Sequence, residues 1–198
     1  MIKVIGYLLL VLLTGCASDT VNVRYYKLGS VLKNSKTSDL TRMDKNKSVS
    51  ERPLIIIEPI SLADFLRQQG LVIQRTDHQL QISNIHRWAE SLESSSSRVI
   101  QSHLESHLPG FRFESKNARW KTKPNFRISI ELVEFQVNNR MAKVTTSGQF
   151  WIFDGDNNLI NKEHFLLEES LNENGYEHAI SRLEMTLLRL SKLISKTI

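Results

Sequence analysis

The sequence is poor in cysteine, proline and glycine, and each shortage excludes a class of protein. A single cysteine among 198 residues excludes an internal disulfide and any zinc site that needs two thiolates. Eight glycines and four prolines are too few for a low-complexity linker or a collagen-like chain. No apolar run reaches the roughly 18 residues that a membrane-spanning helix needs. The composition, 40% hydrophobic and 24% charged, is typical of one globular domain.

The first sixteen residues have the pattern of an export signal. Lys3 supplies a positive charge, and residues 4–13 form an apolar core of signal-peptide length. The core ends in residues 13–16, LTGC, which resembles the box of bacterial lipoproteins: leucine, two small residues and a cysteine. Small residues let the signal peptidase approach the backbone, and the cysteine thiol accepts the diacylglycerol. We predict cleavage between Gly15 and Cys16 and lipidation of Cys16.

Lipidation would anchor the mature chain on a membrane without spanning it. Each buried methylene contributes about 0.8 kcal/mol, and two or more acyl chains hold a protein stably. Ala17 and Ser18 follow the cysteine, and neither is the aspartate that commonly retains a lipoprotein in the inner membrane of Gram-negative bacteria. We therefore predict an outer-membrane lipoprotein that faces the periplasm. The alternative, Cys16 as an ordinary apolar residue in a buried segment, leaves the only thiol of the chain unexplained.

The charge of the chain is basic but points to no particular partner. The net charge is +5 and falls to +4 when Lys3 is removed with the signal. A basic balance can indicate nucleic acid, anionic lipid or neither. Export argues against nucleic acid as a partner.

Beyond the signal peptide, residues 1–15, we predict a lipidated tether at 16–24 and a single domain at 25–198. Residues 29–52 are rich in Ser, Lys, Asn and Asp and lack apolar periodicity, which predicts a mobile loop. The basic residues of this loop could contact anionic head groups. Because these charges are widely spaced among neutral polar residues, a solvated loop is the favoured interpretation.

Apolar periodicity predicts an α+β fold. Strands are expected at 25–28, 54–60, 71–75, 79–83, 126–137, 141–153 and 159–168, with a turn of helix at 61–65. The last three strands form an antiparallel meander, and helices at 84–108 and 176–198 carry apolar stripes. One sheet can cover both apolar faces. We therefore expect a mainly antiparallel sheet with two amphipathic helices packed on one face, in two layers.

The first predicted helix is defined by its ends and its apolar stripe. Asn84 would cap its start, and residues 109–110, Pro-Gly, would stop it. Trp88 would lie on the apolar side of this helix. Arg87 would pair with Glu90 across one turn.

Two histidines in this helix have the spacing of a metal site. His103 and His107 are four residues apart and would share a helix face. The residue after the first histidine is Leu104, where a metalloprotease would have its glutamate. Partly buried histidines near the helix end are the interpretation we favour, so we predict no metal.

No residue pattern predicts catalysis. Residues 94–97 are four serines without the glycine elbow of a hydrolase, and no phosphate-binding glycine loop is present. Asp64, His86 and Glu90 could be assembled into a catalytic group, but their spacing does not require it. We predict no enzyme and no cofactor other than the lipid on Cys16.

Residues 86–90, HRWAE, are the most distinctive segment of the domain. Arginine and aromatic side chains dominate binding hot spots. The candidate partner-binding residues are Tyr25, Tyr26, His86, Arg87 and Trp88. Packing on the sheet is the favoured role of Trp88. For His86 and Arg87, the sequence favours contact with a partner and a purely structural role equally.

Four segments together resemble a known family. These are residues 25–28 (YYKL), 55–60 (IIIEPI), 71–75 (LVIQR) and 86–92 (HRWAESL), downstream of the lipoprotein box. The chain resembles the ABC-type transport auxiliary lipoprotein family from about residue 25 to its end. Ser91 and Gln68 stand where the family often has proline.

The resemblance implies a non-enzymatic component of an intermembrane lipid transport system. Such lipoproteins are encoded with an MCE-domain protein, which forms a hydrophobic tube that carries lipids across the periplasm. The auxiliary lipoprotein would dock the outer-membrane end of that tube. A homo-oligomer is implied because the end of a tube is a symmetric target.

Other functions stay open at this point. The domain could be a lipid-binding carrier, with an acyl chain in a groove between helix and sheet near Leu92 or Leu187. It could also be a stand-alone structural lipoprotein of the envelope. An enzyme would depend on His86 or Asp64.

Overall fold

A computed structural model describes residues 22–29, 51–115 and 123–198. The predicted cleavage and lipidation residues, Gly15 and Cys16, and most of the predicted loop at 29–52 lie outside the described residues. The domain boundaries predicted from the sequence therefore stay predictions.

The described residues form a nine-stranded sheet and two α-helices. The strands are β1 (Arg24–Tyr26), β2 (Leu54–Ile57), β3 (Ser61–Leu62), β4 (Gly70–Thr76), β5 (Gln79–Trp88), β6 (Arg112–Ser115), β7 (Phe126–Asn138), β8 (Lys143–Asp154) and β9 (Leu159–Ser170). The helices are α1 (Leu92–His107) and α2 (Tyr176–Ser195), and a 3₁₀ helix covers Asp64–Arg67. The predicted meander β7–β8–β9 and the second predicted helix are confirmed.

Strand β7 is shared by two halves of the sheet. On one side it pairs antiparallel with β8 along its whole length, and β8 pairs antiparallel with β9. On its other side β7 pairs in parallel with β2, β3 and β4, one after another along its length. Strands β5 and β1 continue the sheet beyond β4, and β6 continues it beyond β2.

The prediction of a mainly antiparallel sheet is wrong, although the α+β class fits. Five of the eight strand pairings among the described residues are parallel, so the sheet is mixed. Parallel neighbours need a crossover connection, and β5, α1 and β6 supply one between β4 and β7. All four residues of β2 are buried, as is typical of a parallel strand covered on both faces. An apolar run marks such a strand without showing its direction.

The first helix begins eight residues later than predicted. Residues 84–88 continue β5 because neighbouring strands offer them backbone partners: Arg87 lies opposite Gly70 of β4, and Trp88 lies opposite Tyr26 of β1. Ser91, not Asn84, caps α1, since its Oγ accepts a hydrogen bond from the backbone N of Ser94 at 3.2 Å.

The predicted turn of helix at 61–65 is also wrong in its bounds. Residues 61 and 62 form β3, and the 3₁₀ helix follows two residues later. The backbone N of Ala63 donates to the carbonyl of Leu132 at 3.0 Å, which extends the pairing with β7.

The core lies where the helices pack on each other and on the sheet. Helix α2 contacts β8 and β9, and α1 contacts α2. The side chains that the helices bury include Val99, Ile100 and Leu104 from α1 and Leu183, Leu187 and Leu190 from α2. Thr146 of β8 and Thr186 of α2 pair their hydroxyls at 2.6 Å inside this core, so both polar groups are satisfied. Packing of both helices on one face, in two layers, stays a prediction.

Gly148 permits the close approach of β8 to β7. It lies opposite Leu132, beside a register shift in β7. A Cβ at this position would lie 1.9 Å from the carbonyl oxygen of Glu131, whereas a Cβ at Gly110 would meet nothing within 4 Å.

We expect Gly148→Ala to lower the free energy of unfolding by roughly 1–3 kcal/mol through overpacking. Chemical denaturation measures this, and Gly110→Ala is the matched control; equal effects of the two changes would contradict the pairing described.

Candidate functional site

Strands β1 and β5 bring the five candidate partner-binding residues together at one edge of the sheet. The register places Tyr25 opposite Arg87 and Tyr26 opposite Trp88, with Arg24 opposite His86. Within the described part of the chain, β5 is the one strand that pairs with β1. Neighbouring residues in a strand point to opposite faces, so the candidates divide into an inner and an outer group.

His86 ties β1 to the start of α2. Its Nδ1 lies 2.8 Å from the hydroxyl of Tyr26, and its ring stacks on Tyr176 with centroids 3.5 Å apart and an interplanar angle of 13°. Its backbone N donates to Ser83 Oγ at 3.0 Å. Tyr176 is the first residue of α2. The three rings therefore join the first described strand, a neighbouring strand and the last helix.

Trp88 is a core residue. Its side chain is 5% exposed, and its ring packs near Phe135 of β7 with centroids 6.1 Å apart. Its backbone N donates to the carbonyl of Gln69 at 2.7 Å. The favoured packing role of Trp88 is confirmed, although it acts from a strand rather than from a helix.

The outer group offers side chains to solvent. Tyr25 is 61% exposed and Ile85 is 40% exposed. Arg87 alternates with the buried His86 and Trp88 and donates to the amide oxygen of Gln69. We define Tyr25, Ile85 and Arg87 as the edge patch.

Ile85 was missed as a surface residue because a helix over residues 84–108 would place it on the same apolar side as Trp88. The segment 85–88, IHRW, has apolar residues at both ends and polar residues between them, which is not the apolar–polar alternation of a half-buried strand, so the local pattern could not have shown it. The predicted pair of Arg87 and Glu90 does not form. Glu90 instead accepts two hydrogen bonds from Arg98, which hold the pKa of the Glu90 carboxyl below its usual range.

A cleft of about 510 Å³ lies beside the edge patch. It separates β1 from the linker between β9 and α2. Its walls are Arg24, Tyr25, Tyr26 and residues 173–178. The cleft carries both charge signs, because Glu173 and Glu177 face it together with Arg24.

The predicted histidine pair is built into the end of α1. His107 Nδ1 lies 2.6 Å from the backbone carbonyl of His103 and donates to it. His103 is buried, and its Nε2 has no hydrogen-bond partner among the residues that the structure describes. Residues 22–29, 51–115 and 123–198 contain no group of three or more His, Cys, Asp or Glu side chains that could hold a metal ion.

The residues considered for catalysis engage separate partners. Asp64 pairs with Arg67 at 3.6 Å, Glu90 pairs with Arg98, and His86 contacts Tyr26. Among the four serines, the buried hydroxyls of Ser95 and Ser96 donate to backbone carbonyls of α1. The described residues bring no nucleophile to a positioned base at these positions.

No helix in the described part of the chain combines the length and the apolar character that crossing a bilayer requires.

Comparisons with known proteins relate the chain to transport lipoproteins. Residues 39–195 match the family of the ABC-type transport auxiliary lipoprotein component. The Intermembrane transport lipoprotein PqiC of Escherichia coli K12 is 27% identical over 172 residues, which cover 86% of this chain and 83% of that protein. PqiC of Shigella flexneri matches equally well, with the same identity and coverage.

Two solved structures share the fold. The crystal structure of an uncharacterized protein superposes with a TM-score of 0.70 at 21% identity, over 88% of this chain and 97% of that one. A protein from Xanthomonas campestris superposes with a TM-score of 0.57 at 11% identity, over 74% and 83% of the two chains. At these identities the likeness shows the fold alone.

The two buried histidines predict how stability depends on pH. Burial lowers the pKa of His86 below 6.5, with a smaller contribution from the positive charge of Arg24. Burial also lowers the pKa of His103, against an opposing effect of Glu184. The unfolded chain therefore binds more protons than the folded chain as the pH falls below about 6.5, and the free energy of unfolding decreases there.

We expect this decrease in denaturant titrations between about pH 7.5 and 5.5, and a smaller decrease in His86→Phe. Phenylalanine keeps the stack on Tyr176 but cannot be protonated. His164→Gln, which changes an exposed histidine of β9, is the matched control. An unchanged pH dependence in His86→Phe would contradict the role given to the buried imidazole.

Proposed function

Because the chain belongs to the family of ABC-type transport auxiliary lipoproteins, we propose that it docks an intermembrane lipid transport system at the outer membrane. The lipid on Cys16 holds the domain on the periplasmic face of that membrane. The domain receives the end of a tube formed by an MCE-domain protein. The PqiC relatives bear the name intermembrane transport lipoprotein, which supports the transport role.

The observation that carries the docking proposal is the position of the edge patch. The patch lies on β1, which is the first described strand after the lipoprotein box, and on its neighbour β5. Cys16 and Arg24 are eight residues apart in the sequence, so the connecting chain can span at most about 28 Å at roughly 3.5 Å per residue. The patch therefore stays close to the leaflet that holds the anchor, where the end of a tube would arrive.

The composition of the edge patch suits a protein partner. Tyr25 and Arg87 are of the residue types that dominate binding hot spots, and Ile85 adds an exposed apolar side chain two residues before Arg87 on β5. The hydrogen bond between the half-buried Tyr26 and the buried His86 fixes the backbone beneath the patch, so little conformational freedom is lost on binding.

A homo-oligomer is the form that suits this role. The end of a tube presents the same surface several times around an axis, and copies of one domain can match that symmetry. Each copy would carry its own anchor and its own edge patch.

The structure favours docking over a carrier with an acyl chain between helix and sheet. Leu92 is 4% exposed and Leu187 is 0% exposed, so core side chains already fill that space. Alanine at Leu187 would leave a cavity in a packed core, which costs about 2–5 kcal/mol and makes it a stability variant.

The docking proposal predicts which surface change releases the partner. Mild cross-linking in envelope membranes, followed by isolation of the lipoprotein, should recover an MCE-domain protein. The double variant Tyr25→Ala with Arg87→Ala should lower that recovery about tenfold or more, as expected when two hot-spot residues are truncated. Its thermal stability should change little, because Tyr25 is exposed and the half-buried Arg87 loses only a surface hydrogen bond to Gln69.

Two controls make this result specific. Leu166→Ala changes a residue of β9 that is 65% exposed and lies outside the patch, so recovery should stay unchanged. Cys16→Ala removes the anchor and should weaken recovery. Isolation of the lipoprotein without any MCE-domain protein would overturn the docking proposal and favour a structural envelope lipoprotein.

A further inference from the structure

The direction of the strands shows which end of the domain lies nearest the predicted anchor. Strands β4 and β7 end at the same end of the sheet at which β5 and β8 begin. Strand β1 is parallel to β5, so Arg24 is its residue closest to that end. Cys16 precedes Arg24 in the chain, so we assign the proposed anchor to this end of the sheet. We call it the anchor end.

The turn between β7 and β8 projects at the anchor end. Met141 stands in this turn with 62% of its surface exposed, next to Arg140. The backbone N of Met141 donates to Asn138 Oδ1 at 2.9 Å, and Asn138 Nδ2 donates to Gln74 Oε1 at 2.9 Å. The side chain of Asn138 thus ties the turn to β4.

A backbone hydrogen bond fixes the turn on its other side. The carbonyl of Ala142 accepts from the backbone N of Leu171 at 2.7 Å, which ties the turn to the chain beyond β9. Ala142 has a φ of +45°, a left-handed conformation that residues other than glycine rarely adopt. Strained backbone persists where the surrounding structure fixes it, and such positions cluster at functional sites. Here the hydrogen bonds of Asn138 and Ala142 fix the strained turn that carries the exposed Met141.

Basic and apolar side chains surround Met141. Arg75 and Arg140 line one cleft of about 230 Å³ together with Met141. Leu80, on the hairpin of β4 and β5, is 38% exposed. Asp77 lines the same cleft, so the anchor end is not uniformly positive and charge alone would give weak attraction to an anionic surface.

The opposite end of the meander carries acidic residues at its turn. The turn between β8 and β9 carries Asp154 and Asp156, and Lys123 pairs with Asp156. Asp154 accepts from the backbone N of Asp156 and of Asn158, both at 2.8 Å, and hydrogen bonds from Asn158 lower the pKa of its carboxyl. Leu159 and Ile160 are exposed beside this turn, so the position of the anchor, rather than exposed apolar surface, distinguishes the two ends.

We propose that the anchor end rests on the phospholipid leaflet that holds the lipidated cysteine, with Met141 inserted at the boundary between head groups and acyl chains. Arg75 and Arg140 contact lipid phosphates around it. Apolar burial and electrostatic attraction add in binding at a membrane interface, so one exposed methionine with two arginines can set an orientation that the anchor alone leaves open. The inference rests on the anchor of the proposed function, since the acyl chains supply the affinity and Met141 supplies the orientation.

Site-specific fluorescence tests this orientation. The sequence contains one cysteine, whose thiol the lipid occupies, so an engineered cysteine provides a unique label. Met141→Cys and Leu159→Cys would each carry an environment-sensitive fluorophore on the lipidated full-length protein. Leu159 is the matched control, because it is 54% exposed and begins β9 at the opposite end. The vesicles would hold equal parts phosphatidylethanolamine and phosphatidylglycerol, with a spin-labelled lipid as quencher.

The expected result is a blue-shifted and strongly quenched label at position 141 and an unquenched label at position 159. Arg140→Glu, combined with Met141→Cys, should reduce the quenching in these vesicles by about twofold or more, because a carboxylate repels the lipid phosphates. Equal quenching at both positions, or stronger quenching at 159, would overturn the inference.

Flotation with the vesicles separates this inference from the proposed function. A protein that floats but shows no quenching at 141 has its anchor and lacks the orientation. A protein that does not float lacks the anchor, which overturns both. Recovery of an MCE-domain protein is measured independently and can fail while the orientation holds.

Discussion

Strand β7 is the constraint on which the rest of the structure depends. Its thirteen residues pair with β8 on one side and with three shorter strands on the other. Ile128, Ile130 and Leu132 of this strand are fully buried, so the same segment supplies backbone pairing to both halves of the sheet and apolar surface to the core. The chain beyond β4, including the edge patch, keeps its position because β4 pairs with the last two residues of β7. A change in the register of β7 would therefore displace every surface discussed above.

The sequence predicted those elements whose pattern admits one interpretation. Phe126, Ile128 and Ile130 alternate with polar residues over a length that a helix cannot explain, and the meander followed from this alternation. The prediction of a helix over residues 84–91 was wrong because Ile85, Trp88 and Leu92 have helical spacing. Ile85 and Trp88 nevertheless lie in β5, and only Leu92 lies in a helix. Backbone partners from β1 and β4 decide between the two, and these partners lie outside any local window. The prediction of strand direction was wrong for the same reason, since direction depends on which distant strands become neighbours in the sheet.

The sequence named five candidate residues that β1 and β5 bring together, but it did not predict their arrangement or the exposure of Ile85. Residues near position 25 and near position 87 meet through parallel pairing of strands about 60 residues apart, which no spacing in the sequence indicates. Tyr176, whose ring completes the stack on His86, was missed because it looked like an ordinary start of a helix. The division into buried His86 and Trp88, half-buried Arg87 and exposed Tyr25 follows from strand alternation, which the helical interpretation had hidden.

The pairing of β1 also decides how the domain carries mechanical load. If Cys16 anchors the chain as proposed, a pull from the membrane reaches the described structure at Arg24, the first residue of β1. A pull directed along that strand would shear the hydrogen bonds to β5 together instead of opening them one at a time. Tyr26 lies at the far end of the strand, where its hydroxyl meets His86 and where Ala89 donates to its carbonyl at 2.7 Å. In that case a strand of only three residues would transmit force from the membrane into the sheet before it detaches.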